Sequence, residues 1–457
     1  MTEAQLETCR RLLTILPKPP REREQRVDDG LEPPPPKKPP EPLLLYRDTP
    51  TEFGVPRQWY LERVQGRSNT QLSFDVSAGA DLPAHYYRFT KTLRESQQQG
   101  VDTLLRLYDQ RPCGGGIIKA GCGWGKTIAA IALIAKLQCP AIVVVHKKFL
   151  LKQWKERLQE CLPDAPIGIV QGKKCDYADK AVVIAMVHTL ARRNYPPEFY
   201  KHFGLFIVDE THRVAARTWS VVPGQFPTQY RLGITATPRR RDRAEAVFFH
   251  HLGSVAFESQ EPRMLFQVKR VTTAFRLYRT DDFDPDSLEK EQILRYLCVN
   301  RKRNIQIVDL LFEALAAGRK ILLLSERLNH LRRLHKMLTT HQKWEEFKSR
   351  GVGYYVGGMS DKALDKSEEC GVILATPQFA SEGLDIPAVD TVFIVTPLGD
   401  CEQSVGRAQR PHPDKKNPII VDFRDPEVPV CESFYQYREE IYQKLLAKCV
   451  DKPSATP

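Results

Sequence analysis

The stretch KAGCGWGKTIAAIALIAKL, residues 119–137, decides how the rest of the chain is read. Gly121, Gly123 and Gly125 leave little side-chain bulk, so backbone N–H groups along Gly121, Cys122, Gly123, Trp124 and Gly125 can converge on an anion. Lys126 and Thr127 follow in the order a phosphate-binding loop needs. The lysine would reach the β- and γ-phosphates, and the threonine hydroxyl would hold Mg²⁺. Upstream, GGGIIKA reads as a short apolar strand. Downstream, a run of Ala, Ile and Leu without Gly or Pro reads as a buried helix, which completes the strand–loop–helix setting. The strict pattern places glycine at position 120, where this chain has Ala120. A glycine-rich turn that holds no ligand is the competing reading of the loop by itself.

Working outward, AIVVV, AVVIAMV, LFIVDE and YRLGITAT alternate with helix-length stretches. That alternation predicts a parallel sheet covered on both faces. After a connector expected near 254–265, a second series appears in KILLLS, VGYYV, GVILAT, TVFIVTP and PIIVDF. The expectation is two tandem α/β domains, at 91–257 and 264–448, before a polar tail at 449–457. Residues 43–90 read as a small α+β module. Residues 3–15 have helical patterning, but the Pro-rich, charged run that follows cannot bury a core, so 1–42 is expected to be mostly disordered. Within it, PPPPKKPP reads as a spacer, or as a polyproline ligand for a partner's aromatic groove.

The 457 residues, 42% of them hydrophobic, suffice for several cores. A formal charge of +12 suits a polyanionic partner. Eleven cysteines occur without a C-x-x-C pair, so neither a zinc site nor a disulfide framework is indicated, and reduced intracellular thiols are the default. The apolar run at Ile128–Ala135 is far short of the roughly 20 residues a membrane span needs. The opening MTEAQLETCRRLL mixes acids and arginines and does not read as a secretory signal.

Three further clusters carry chemistry. Asp209 and Glu210 close the strand in LFIVDETHR, where an Asp can orient Mg²⁺ and a Glu can position the attacking water. Thr235 and Thr237 close the strand in GITATPRRRD, where hydroxyls can bond to the acidic pair. In QSVGRAQRP, Gln403, Arg407 and Arg410 bring two arginines at a three-residue interval, a spacing that would aim both from one helical face toward phosphate oxygens. Surface carboxylates, a capped turn and a solvated helix face are the bland readings of these clusters taken singly.

Taken in order, the segments resemble the core of a superfamily 2 DEAD/DEAH-type helicase. LRESQQQ, with Arg94 and Gln97, resembles the adenine-reading segment, and AGCGWGKT resembles motif I in the alanine-first form used by helicase-like ATPases. VVVHKKFLLKQW, DETH, TAT, LLLSERLNHL, ATPQFASEGLDIP and QSVGRAQR resemble motifs Ia to VI. VHKKFLLKQWKERL, SEGLDIP and DTVFIVTPLGDCEQSVGR look more closely like the helicases of large nucleocytoplasmic DNA viruses, related to the XPB-like and phage recombination branch, and residues 45–64 resemble their small N-terminal module.

The resemblance implies two RecA-like domains, use of ATP with Mg²⁺, nucleotide contacts from Gly383 and Asp385, and coupling through His212, Thr235 and Thr237. It implies a strand held mainly through its sugar–phosphate backbone, with Lys147, Lys148, Gln153, Thr189, Gly358 and Thr376 as candidate contacts. Glu382 before Gly383 favours DNA over RNA. Thr211 stands where DEAH proteins carry a small residue, and Pro411 should end the helix bearing the arginines. The expected activity is an ATP-dependent helicase or translocase, soluble and intracellular and, in a virus, working in the infected cell or carried in the virion. The alternatives are an RNA helicase, or a transcription-associated ATPase that remodels or releases nucleic-acid–protein complexes with little unwinding; transcription or replication proteins are the expected kind of protein partner.

Overall fold

A computed structural model gives the fold. The residues described are 3–16, 41–63, 76–111, 113–121, 123–211, 221–236, 244–259, 264–280, 284–382, 386, 388–399, 401–412 and 415–450. The chain forms two compact units, Met1–Glu261 and Pro262–Pro457.

The first unit is built on β5 (Gly115–Lys119), β6 (Ala141–Val145), β7 (Ile167–Gln171), β8 (Lys174–Cys175), β9 (Val182–Met186), β10 (Leu205–Asp209), β11 (Tyr230–Thr235) and β12 (Val255–Glu258). Their spatial order is β12-β5-β11-β10-β6-β9-β7-β8, and every pair is parallel except β7–β8. Apolar runs in the middle strands bury both faces, as a sheet covered on each side requires. Successive residues divide between two cores: Ile118, Val143 and Ile207 enter one, while Ile117, Ile142 and Phe206 enter the other. The helices α3 (Glu95–Gln110), α4 (Lys126–Leu137) and α5 (Lys148–Cys161) cover the first of these faces.

Against the second core lies an N-terminal module. The helix α1 (Glu3–Leu13) buries Cys9 and Leu13, and β1 (Thr14–Ile15) pairs antiparallel with β2 (Leu43–Leu44). A hairpin of β3 (Arg47–Asp48) and β4 (Phe53–Gly54) then leads into α2 (Arg57–Arg63). Residues 3–16, placed with the disordered segment on composition, are therefore ordered here. Leu13, Leu43, Leu45 and Trp59 together supply the apolar contact that a lone eleven-residue helix lacks. The Pro-rich run itself lies outside the described residues.

The second unit contains β13 (Gln267–Thr272), β14 (Ile321–Leu324), β15 (Val352–Tyr355), β16 (Val372–Ala375), β17 (Thr391–Ile394) and β18 (Ile419–Arg424). All are parallel, in the order β13-β18-β17-β14-β16-β15. The expected connector at 254–265 is corrected by the structure: Val255–Glu258 is the edge strand β12, hydrogen-bonded along β5. Its side chains are mostly half-buried, so it lacks the apolar run that marks the inner strands. Likewise β13, another edge, mixes polar and basic residues with two valines and is mostly exposed.

Candidate functional site

The carboxyl ends of three neighbouring strands in the first unit carry the residues singled out in the sequence. Thr235 of β11 stands opposite Lys119 of β5, and Ile234 opposite Asp209 of β10. The Ala120 N–H donates to the Thr235 carbonyl at 3.1 Å, anchoring the start of the glycine loop to the sheet. Ala120 is 2% exposed and is absent from the non-glycine residues with positive φ. No left-handed geometry there calls for glycine, which explains why the departure at position 120 is tolerated.

Gly123 and Gly125 do adopt left-handed backbone, each with φ 84°. A Cβ on Gly125 would stand 2.3 Å from Gln97 Nε2, so the loop is a cradle a side chain would fill. Lys126 opens α4 and folds back over the loop, its ammonium donating to the Ala120 carbonyl at 2.9 Å and the Gly121 carbonyl at 3.2 Å. Thr127 follows at half-exposure on the first turn of the same helix. This backbone arrangement fits a phosphate chain, with Lys126 already placed inside the curve.

From α3, two residues brace the loop. Gln97 accepts from the Arg94 N–H at 2.9 Å and donates to the Trp124 carbonyl at 2.8 Å. The Arg94 guanidinium donates to the carbonyls of Gly123, at 3.3 Å, and Trp124. Both ends of the Gln97 amide are thus occupied within the protein, and the side chain is 4% exposed. Trp124, expected to line the phosphates, is 1% exposed; its ring packs on Phe257 and its N–H reaches Ser96 Oγ at 3.2 Å. Its side chain anchors the loop from behind, so only its backbone can face a phosphate.

Asp209 is 6% exposed. Burial, and then the neighbouring Glu210 carboxylate, push its carboxyl up to about 7, while Lys126 is near enough to pull it down. Its Oδ2 accepts the Trp154 indole N–H at 2.8 Å. Glu210 has φ 51°, an unusual left-handed position for a non-glycine residue, and its N–H donates to the Ile234 carbonyl at 2.9 Å. Thr235 is fully buried. Thr127 and Asp209 offer hard oxygen donors of the kind Mg²⁺ takes alongside phosphate oxygens and water. Among the described residues, no group of three or more His, Cys, Asp or Glu side chains could hold a metal by itself.

Other candidates are placed as follows. Lys147 caps α5, Lys148 on its first turn is exposed, and Gln153 is half-buried. Thr189, in α6 (Val187–Arg192), accepts from the Gly172 N–H at 3.1 Å. In the second unit Gly358 is exposed with φ 84°, and Thr376 directly follows β16.

The helix bearing the arginines runs Glu402–Ala408, so the expected pair on one helical face is corrected. Arg407 lies in the helix and is 6% exposed, whereas half-exposed Arg410 comes after its cap, its N–H directed at the Arg407 carbonyl at 3.3 Å. The turn finishes before Pro411, as the ring's missing N–H and bulk demand. Cys122, His212, Thr237, Gly383, Asp385 and the Gln403 side chain lie outside the described residues.

Sequence reasoning missed Trp154 as a partner of Asp209. Its position in the apolar stripe of α5 signals only burial, and the contact spans 55 residues of sequence.

Comparison with known proteins agrees with this geometry. Residues 90–240 match the family described as "Type III restriction enzyme, res subunit". A relative from Acanthamoeba polyphaga mimivirus, named "Putative ATP-dependent RNA helicase", is 30% identical over 406 residues, covering 88% of this chain and 76% of the relative. A relative with the same descriptive name from African swine fever virus is 26% identical over 390 residues, covering 76% of this chain and 72% of its own. A solved fragment of a putative HsdR subunit of a type I restriction enzyme from Vibrio vulnificus shares the fold, at 18% identity and a TM-score of 0.55. That match covers 78% of this chain and 68% of the fragment. No helix among the described residues is long and apolar enough to cross a membrane.

Proposed function

The chain belongs to the superfamily 2 helicases of the kind found in large nucleocytoplasmic DNA viruses, and from that premise we propose that it couples ATP hydrolysis to movement along a DNA strand. The observation that carries the proposal is the convergence of the Lys126 loop, Asp209 and Thr235 on adjacent strand ends. In this reading Lys126 leaves the Ala120 and Gly121 carbonyls for the β- and γ-phosphate oxygens of ATP, and the loop N–H groups surround them. Asp209 and Thr127 would hold Mg²⁺, which would offset the phosphate charge. Glu210 orients the water that attacks the γ-phosphorus and takes up its proton. Thr235 holds the start of the loop through the Ala120 N–H, and the preceding Ile234 carbonyl accepts the Glu210 N–H. The motif resemblance implies that Arg407 and Arg410 neutralise phosphate charge, and Arg94 with Gln97 fixes the loop that positions the substrate.

Strand contacts are assigned to Lys147, Lys148, Gln153 and Thr189 in the first unit and to Gly358 and Thr376 in the second. They engage sugar–phosphate groups, so the sequence preference is weak. Glu382 before Gly383 in the segment resembling motif V supports DNA. A second reading, RNA as the strand, is supported by the names of the two viral relatives.

The test is ATP hydrolysis by the purified chain, alone and with single-stranded DNA, duplex DNA, branched DNA or RNA, beside Lys126→Ala. The proposal expects DNA to stimulate turnover most and the variant to lose it under every condition. Stimulation by RNA alone would replace the DNA reading. Turnover indifferent to every nucleic acid would favour remodelling of a protein complex.

A further inference from the structure

Helix α5 has two faces with different duties. Leu150, Leu151, Trp154 and Leu158 are buried against the first core, while Lys148 and Lys152 are exposed on the outer side. On the buried side, Trp154 contributes a polar atom to an otherwise apolar face, and that atom donates to Asp209. Trp154 is 0% exposed and Asp209 6% exposed, so water competes little for the bond.

We propose that Trp154 is a positioning residue that sets the plane of the Asp209 carboxylate for metal-bound nucleotide and joins it to the helix carrying Lys147, Lys148 and Gln153. This inference rests on the reading of Asp209 and Thr127 as the Mg²⁺ donors. The torsion that turns a carboxylate plane is broad and poorly determined by rotamer preference alone. With Oδ2 held by the indole N–H at 2.8 Å, that freedom is restricted, and Oδ1 lies outside the bond to Trp154. A buried indole N–H needs a partner in any case, but a backbone carbonyl would satisfy it equally well. Here the partner is one of the two carboxylates at the end of β10. Partners that orient a ligating carboxylate in this way typically change metal affinity by roughly 10- to 100-fold when removed.

The experiment uses the full chain and equilibrium binding of a fluorescent ADP, measured in Mg²⁺ and again in EDTA. Trp154→Phe keeps an aromatic ring and removes the donor, while Leu158→Ala disturbs the same core without touching Asp209. The expected result is that Trp154→Phe reduces the Mg²⁺-dependent gain in affinity by roughly tenfold or more and leaves the EDTA affinity near wild type. Leu158→Ala should keep the gain. Equal affinities of Trp154→Phe and wild type in both buffers would overturn the proposal, as would a loss of the same size in both. A wild-type chain with no Mg²⁺-dependent gain would instead bring down the underlying assignment of Asp209 and Thr127, and this proposal with it. Should the phenylalanine variant fail to fold, the wild-type chain labelled with ¹⁵N-tryptophan decides. The Trp154 indole resonance should shift when Mg²⁺ is added to the ADP complex, and an unmoved resonance would overturn the proposal.

Discussion

Replacing His330 by glutamine should remove a defined part of the acid sensitivity of the second unit. His330 is 1% exposed; its Nε2–H donates to Asn304 Oδ1 at 2.9 Å and its Nδ1 pairs with Ser325 Oγ at 3.0 Å. Asn304 is in turn fixed by donating to the Cys298 carbonyl at 3.0 Å. Those partners suit the neutral ring. Burial, followed by the positive charges of Arg303 and Arg333, pushes its pKa down from 6.5 to about 3. The unfolded chain therefore takes up a proton near 6.5 that the folded chain refuses until about 3. The stabilisation is complete above the higher value and is lost as pH falls through this window. At pH 5.0 the loss is the 1.5-unit interval below 6.5 multiplied by 1.36 kcal/mol, or about 2 kcal/mol relative to neutral pH. Urea titrations at pH 7.5 and 5.0, read peptide by peptide through pulsed hydrogen exchange, would measure it in helix Leu328–Thr339. His330→Gln should lower stability at pH 7.5 by about 1 kcal/mol through the lost Ser325 contact, and should shrink the pH difference by about 2 kcal/mol, because at pH 5.0 the abolished proton uptake offsets that loss. His251 in the first unit, pushed to about 3 by burial and Arg231, should keep its own slope in that variant. An unchanged pH difference in the second unit would refute the reasoning.

Two other substitutions test separate features. Gly125→Ala places a Cβ at a φ of 84° and 2.3 Å from Gln97 Nε2, so the loop must move. The left-handed cost of roughly 1–2 kcal/mol corresponds to a loss of about tenfold in ADP affinity, and unaltered binding by fluorescence titration would contradict the brace assigned to Gln97. Arg438→Leu strips Asp422 of two charge-assisted bonds, at 2.7 and 2.8 Å, in a pair that is 1% and 0% exposed. It should destabilise the second unit by about 3–5 kcal/mol, with much of the loss recovered when Asp422→Leu is added. A single variant that melts with wild type would show that the pair is not what holds that region.

The inner strands were readable because their side chains are buried on both faces, so β-branched and apolar runs mark them directly. The edges were not: Val255–Glu258 and Gln267–Thr272 carry mixed residues because one side of each strand meets no neighbour. The loop at Lys126 and the acidic pair at Asp209 were legible because their chemistry is local. Gln97 was legible as a member of the site but not in its manner of acting, since the bonds from its amide to Arg94 and Trp124 depend on how α3 meets the loop. The same limit applies to Trp154, whose spacing in α5 matches any core residue. Arg407 and Arg410 show the reverse case: Pro411 marks a helix stop in the sequence, and that stop takes Arg410 out of the helix that holds Arg407.

The two sheets hold their buried carboxylates in different settings. In the first unit Asp209 accepts from the Trp154 indole N–H and lies near Lys126, while burial and the Glu210 charge push its carboxyl up to about 7. In the second, Asp422 accepts both from Arg438 and from the Tyr442 hydroxyl at 2.7 Å, while Asp425 accepts from Arg303 at 2.8 and 3.0 Å and from Thr273. Each oxygen of these two buried carboxylates is committed to the fold. A cation arriving there would have to displace a guanidinium that is itself buried, at a cost of several kcal/mol. On the reading proposed above, Asp209 at the end of β10 therefore suits a metal donor better than Asp422 within β18 or Asp425 just after it.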